Sequence, residues 1–180
     1  MLKIINVVEE DLSAEVIVDS YVPISVKFAE NPFFAYCYCF FQSENDSLIE
    51  IKINSKTLRI SEIIIVNINT FSVLENRDCF DYPKQKGNPL IDVEYLQARC
   101  QFDIQDKEKI YARLKNNFAL KYDKGKVYIL LESQKPPIKI ISMPNVELLL
   151  NVDDEIVGLT FFDLTVVQKR TFEEYIKSKS

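Results

Sequence analysis

Residues 31–42, NPFFAYCYCFFQ, place two thiols one residue apart, Cys37 and Cys39, inside a run of aromatic side chains. Paired thiols of this kind serve metal binding or redox chemistry, or they fill space in a sheet. A zinc site needs four soft or borderline donors, and the chain has only two further cysteines, Cys79 and Cys100, and no histidine. Spacings of one, 39 and 20 intervening residues match no zinc pattern. A disulfide between strand neighbours on one face is strained. Packing is the expected role of both thiols. The odd positions of the run carry small residues (Ala35, Cys37, Cys39) and the even positions Phe34, Tyr36, Tyr38 and Phe40. A strand with no polar face is expected to be central and covered on both sides.

Without histidine, Ser-His-Asp and Cys-His nucleophiles and the usual base near neutral pH are excluded. The three glycines, Gly87, Gly125 and Gly158, open neither a dinucleotide fingerprint nor a P-loop. Two acidic clusters, Glu9–Glu10–Asp11 and Asp153–Asp154–Glu155, lack the alternating spacing of a calcium loop and read as solvated turns. No catalytic residue, cofactor or metal is expected from these residues, and the chain reads as a non-enzyme. Nine tyrosines in a chain without tryptophan suit protein contact, since tyrosine joins a large apolar body to one polar tip. Tyr36 and Tyr38 are assigned to the core.

Charge is distributed unevenly. The chain has 180 residues and a net charge of −5, but residues 1–50 hold two basic and nine acidic side chains, a charge of −7, and the remainder is +2. An acidic first third argues against a nucleic-acid groove and suits a basic protein partner. No apolar run reaches the ~18 residues of a membrane helix, and the N-terminal stretch lacks a signal-peptide cleavage site, so neither a membrane nor secretion is expected. The expected location is cytoplasmic.

The elements that must position these groups are mostly strands. SLIEIKIN (residues 47–54) alternates Leu48, Glu50 and Lys52 on a wet face with Ile49, Ile51 and Ile53 on a dry one. The turn ENDS predicts a hairpin joining this strand to the aromatic one. Gly125 predicts a tight turn at residues 123–126, and VELLL-NVDDE-IVGL predicts another hairpin. Residues 74–90, with two prolines and a glycine, read as a long loop exposing Cys79, Phe80 and Tyr82, and such loops commonly bind something. Residues 92–103 read as either strand or helix. Ile110, Tyr111, Leu114 and Phe118 predict an amphipathic helix over 105–117. Thr171 and Glu174 predict a capping box for a short terminal helix docked by Phe172, Tyr175 and Ile176. The fold class is α+β: strand-dominant, mostly antiparallel sheet with two or three helices, as one domain over 1–180 or two lobes meeting near 75–90.

One segment resembles a known family. In PNVELLLNVDDEIVGLTFFDLT (residues 144–165), Ile156, Val157, Gly158, Leu159 and Asp163 match a small bacterial domain family of unknown function, with Thr160 where a glutamate is common. In being small, acidic and free of catalytic motifs, the whole chain is also similar in profile to the immunity proteins that bacteria make against their own polymorphic or contact-dependent toxins. That resemblance implies a non-enzymatic protein that binds and blocks a cognate basic, nuclease-like toxin by electrostatic steering. The residues expected at such a contact are Glu9, Glu10, Asp11, Glu44, Asp46, Phe80 and Tyr82. A structural or phage-type assembly subunit is the alternative, and a hydrolase working without histidine is less favoured.

Overall fold

The structure is a computed structural model. It describes residues 1–28, 36–44, 46–69, 82–99, 101–106 and 109–179, and for residues 36, 101–106, 109 and 110 the main chain alone. Three sheets carry the fold. β1 (Ile4–Val8) pairs with β8 (Asn88–Ile91). A seven-stranded sheet runs β2 (Ala14–Ile17), β3 (Ile24–Phe28), β6 (Ile60–Asn67), β5 (Leu48–Asn54), β4 (Tyr36–Gln42), β10 (Lys109–Lys115) and β9 (Gln101–Asp106). A six-stranded sheet runs β11 (Phe118–Asp123), β12 (Lys126–Leu131), β15 (Ile156–Phe161), β14 (Val146–Leu150), β13 (Lys139–Met143) and β7 (Lys84–Lys86). Pairing is antiparallel except β4–β10 and β7–β13, which make both large sheets mixed. One apolar cluster takes buried residues from both large sheets, from β1 and β8, and from the helices α1 (Val93–Arg99) and α2 (Val166–Lys179).

Several local predictions match the structure for the reasons given. Ile49, Ile51 and Ile53 are buried while Leu48, Glu50 and Lys52 are only partly so. Lys124 and Gly125 both adopt positive φ (49° and 77°), the conformation of a two-residue hairpin turn. Gly158 is required by close approach, since a Cβ there would lie 2.8 Å from the Ile129 carbonyl oxygen across the β12–β15 pair. Cys37 and Cys39 face the core at 0 % exposure with their sulfurs 3.8 Å apart. That hydrogen bond holds the Cys37 thiol below its ordinary pKa, against burial, which pushes it up. Cys79 and Cys100 lie outside the described residues. Among the described residues no group of three or more His, Cys, Asp or Glu is arranged to hold a metal.

Four predictions need correction. The helix expected over 105–117 is instead parts of β9 and β10. Its apolar residues also fit a period of two: Ala112 and Leu114 pack toward the core, and Tyr111 and Arg113 face out. Pairing with β4 along seven residues outweighs the helix propensity of Ala, Arg, Leu and Lys. The last part of the expected loop over 74–90 forms β7 and β8, and the rest lies largely outside the described residues. The terminal helix starts earlier than expected. Thr165 N–H donates to Gln168 Oε1 (2.9 Å) and Gln168 N–H donates to Thr165 Oγ1 (3.3 Å), a reciprocal cap one turn and a half before Thr171. Thr171 is interior and donates to the Val167 carbonyl (3.1 Å). Finally, Tyr38 is not a core residue: β4 buries one face, and Tyr38 and Phe40 on the other stay partly exposed.

The ambiguous stretch 92–103 contains both elements. Asp92 caps α1 by accepting from Tyr95 N–H (2.8 Å), and β9 follows. Phe172 and Tyr175 bury α2 as expected, and the Tyr175 hydroxyl accepts from Ile68 N–H (3.1 Å) at the end of β6.

Candidate functional site

Two adjoining cavities form a groove where turns of both large sheets meet. The first, about 730 Å³, is lined by Glu44 and Asp46 of the β4–β5 turn, by Lys115, Asn116 and Asn117 at the β10–β11 junction, and by Glu132 after β12. The second, about 700 Å³, shares Asn116, Glu132, Ser133 and Gln134 and continues to Tyr95, Arg99 and the β14–β15 turn. The asparagine pair builds the floor. Asn116 N–H donates to the Gln42 carbonyl (3.0 Å) and its amide to the Glu132 carbonyl (3.1 Å), linking the two sheets. Asn117 accepts from Glu44 N–H (3.2 Å) and donates to Glu132 Oε2 (3.2 Å).

The two halves of the groove differ in charge compensation. In the β14–β15 turn, buried Asn151 accepts from the N–H groups of Asp153 (2.9 Å) and Glu155 (3.0 Å) and donates to Glu155 Oε2 (2.9 Å). Asp153 pairs with Lys135 and Asp154 with Lys139. Glu155 Oε1 accepts from the Tyr95 hydroxyl (2.6 Å), and the Arg99 guanidinium lies 4.3 Å from the Tyr95 ring centre. Burial works to raise the Glu155 pKa, but the hydrogen bonds from Tyr95 and Asn151 outweigh it and hold the carboxyl below its ordinary value. The same bond pushes the Tyr95 hydroxyl up. The glutamate therefore stays ionised and the tyrosine protonated, and neither is set to exchange a proton near neutral pH. In the other half, the salt bridges of the described residues include none of Glu44, Asp46 and Glu132.

The structure divides the residues expected at a contact. Glu44 and Asp46 share the first cavity. Glu10 Oε2 is paired with Arg59 Nη1 (2.9 Å) just after the β5–β6 turn, at the other end of the seven-residue β5. Such a strand spans about 23 Å. Glu9 and Asp11 beside it are exposed. Tyr82 is half-buried, packed with Leu130 on a second apolar cluster of Ile140, Leu149 and Val157. Phe80 lies outside the described residues.

Sequence reasoning missed the outward face of the seven-stranded sheet. Tyr38 and Tyr111 stack at 5.2 Å, Phe40 and Tyr111 lie 6.3 Å apart, and Lys52 Nζ sits 5.6 Å from the Tyr38 ring centre. Lys52 also meets Glu62 (3.8 Å), which accepts from Ser25 Oγ (2.9 Å). Glu50 lies between Ile64 and Phe40 in the cross-strand register. Burial, and then the charge of Glu62, push its carboxyl up, and Lys52 only partly opposes them. The alternation of Lys109, Tyr111, Arg113 and Lys115 with Ile110, Ala112 and Leu114 was the sequence signal for this face.

No family model matches the chain. Nor does any curated protein match it in sequence. Among the described residues no helix is long and apolar enough to cross a membrane.

Proposed function

We propose that this protein is a non-enzymatic binding protein that recognises a basic protein partner through the acidic half of the groove. In its sharpest form it is an immunity protein blocking a cognate nuclease-like toxin. The observation that carries the reading is the set of Glu44, Asp46 and Glu132, three carboxylates that no salt bridge of the described residues includes, lining one cavity against the single positive charge of Lys115. An excess of acids over bases in a concavity concentrates negative potential, which speeds encounter with a cationic surface and sets its orientation. Asp153 and Asp154 contribute less, because Lys135 and Lys139 already offset them. Glu10, paired with Arg59 at the far end of β5, belongs to a separate patch.

The test is affinity purification of the tagged chain at low salt, together with the product of the neighbouring upstream gene, followed by association kinetics. The expected result is one stoichiometric basic partner whose on-rate falls at least about tenfold in E44K/D46K/E132K and whose salt dependence flattens. A partner bound equally well by that variant would place the interface elsewhere, and a neutral or acidic partner would remove the reading. The alternative, an assembly subunit, draws support from the aromatic outer sheet face.

A further inference from the structure

On the outward face of the seven-stranded sheet, two cross-strand rows are read directly from the register. In one, Ile64, Glu50, Phe40 and Arg113 lie side by side on β6, β5, β4 and β10. In the next, Glu62, Lys52, Tyr38 and Tyr111 do the same. The second row is internally matched by the Lys52–Glu62 pair and by Lys52 over the Tyr38 ring. The first is not. Glu50 has an isoleucine and a phenylalanine as its cross-strand neighbours, and Arg113, two strands away beyond Phe40, is exposed. No salt bridge of the described residues includes either of them.

Glu50 and Arg113 flank Phe40 symmetrically, one on each neighbouring strand, and this arrangement is self-complementary. We propose that this sheet face binds a second copy of the chain about a two-fold axis running along β4 at Phe40. Such an axis lays each copy's β5 over the other's β10. Glu50 then meets the partner's Arg113, Arg113 meets the partner's Glu50, and Phe40 packs on the partner's Phe40. In the next row Lys52, already beside its own Tyr38, approaches the partner's Tyr111, a cation–π contact. An axis across the strands would instead set Glu50 on the partner's Glu50, like on like, so charge selects the first arrangement. Sheets packed face to face sit about 10 Å apart with their side chains interleaved, a distance that part-exposed Tyr and Phe side chains fill. The contact is isologous and closes at two copies. Glu50, Phe40 and Arg113 are not among the residues that line the acidic groove, which adjoins this face at Gln42 and Lys115, the last residues of β4 and β10.

Sedimentation or light scattering over a concentration series tests this. The expected result is a species of twice the 21.0 kDa chain mass that dissociates on dilution. E50R and R113E should each weaken it at least about tenfold by facing like charges, and the double swap E50R/R113E should recover most of the loss. The groove variant E44K/D46K should leave it unchanged. Arg113 is exposed, so R113E tests the contact in a folded chain, verified by circular dichroism. A wild-type chain monomeric up to its solubility limit would overturn the proposal. So would a dimer indifferent to R113E, or a double swap that rescues nothing.

Discussion

Phe40 and Phe41 are neighbours in β4, and they face opposite sides of one sheet. Phe41 is 1 % exposed, in an apolar core shared with Cys37, Cys39 and Ile49. Phe40 is part-exposed between a glutamate and an arginine, beside two stacked tyrosines. The inner face gains by exclusion of water and close packing, and its polar demands are met by the strand ladder. The outer face gains by pairing: ring on ring, lysine over ring, lysine with glutamate. At Glu50 burial, and then the charge of Glu62, push the carboxyl up, and Lys52 offsets only part of that. On the outer face the matter left open is charge, at Glu50 and Arg113, which no salt bridge of the described residues includes.

The largest expected effect separates the two phenylalanines. F41A should destabilise the fold by about 3–5 kcal/mol, because a fully enclosed ring leaves a cavity as well as a lost transfer energy. F40A should cost under about 1 kcal/mol in the isolated chain, since water can occupy the vacated space. Denaturant midpoints with unchanged slope would measure both. Equal losses at the two positions would break the contrast and mean that the outer face is enclosed.

A carboxylate with its partners supplied gives the second contrast. Glu155 accepts from Tyr95 and Asn151, and its pKa is lowered in the folded chain. Its contribution is complete above the ordinary glutamate pKa and disappears as pH falls through the depressed folded value. E155Q should therefore cost about 1–2 kcal/mol at neutral pH. The gap from wild type should close on acidification through that window, followed by thermal unfolding at a series of pH values. A gap that stays constant with pH would assign the effect to packing instead of charge.

How much of this was legible beforehand depended on whether the signal was local. The alternation in β5, the Gly125 turn and the docking residues Phe172 and Tyr175 follow from side-chain period and backbone freedom, and they stand as expected. KIYARLK, the sequence of β10, satisfies both a period of two and a helical stripe, and the pairing with β4 alongside it decides for the strand. A strand without polar residues predicts cover on both sides, which assigns Tyr38 to the core. The structure meets that need within the face itself, by stacking Tyr38 on Tyr111 and setting Lys52 over it. The acidic candidates were legible as charges but not as a surface. Glu10 is spent on Arg59, while Glu132, far along the chain, joins Glu44 and Asp46 through the Asn116–Asn117 link.

The smallest expected effect is the one that tests the contrast most directly. Glu50 is raised by burial and by Glu62, so folding favours its protonated form. The sign is opposite to that of Glu155. Below the ordinary glutamate pKa both states carry the proton and nothing is lost, and as pH rises through the raised folded value the ionised carboxylate costs stability. E50Q, measured on dilute monomer, should therefore stabilise the fold slightly at neutral pH, by less than about 1 kcal/mol given solvent screening at a part-exposed site. The gain should vanish in acid. In concentrated solution the order should reverse, because the glutamine cannot pair with the partner's Arg113. A variant that stabilises the dilute chain and weakens the concentrated one would show that the unmatched charge is held for a contact. Stabilisation at both concentrations would leave Glu50 as an uncompensated cost of the outer face and separate it from any interface.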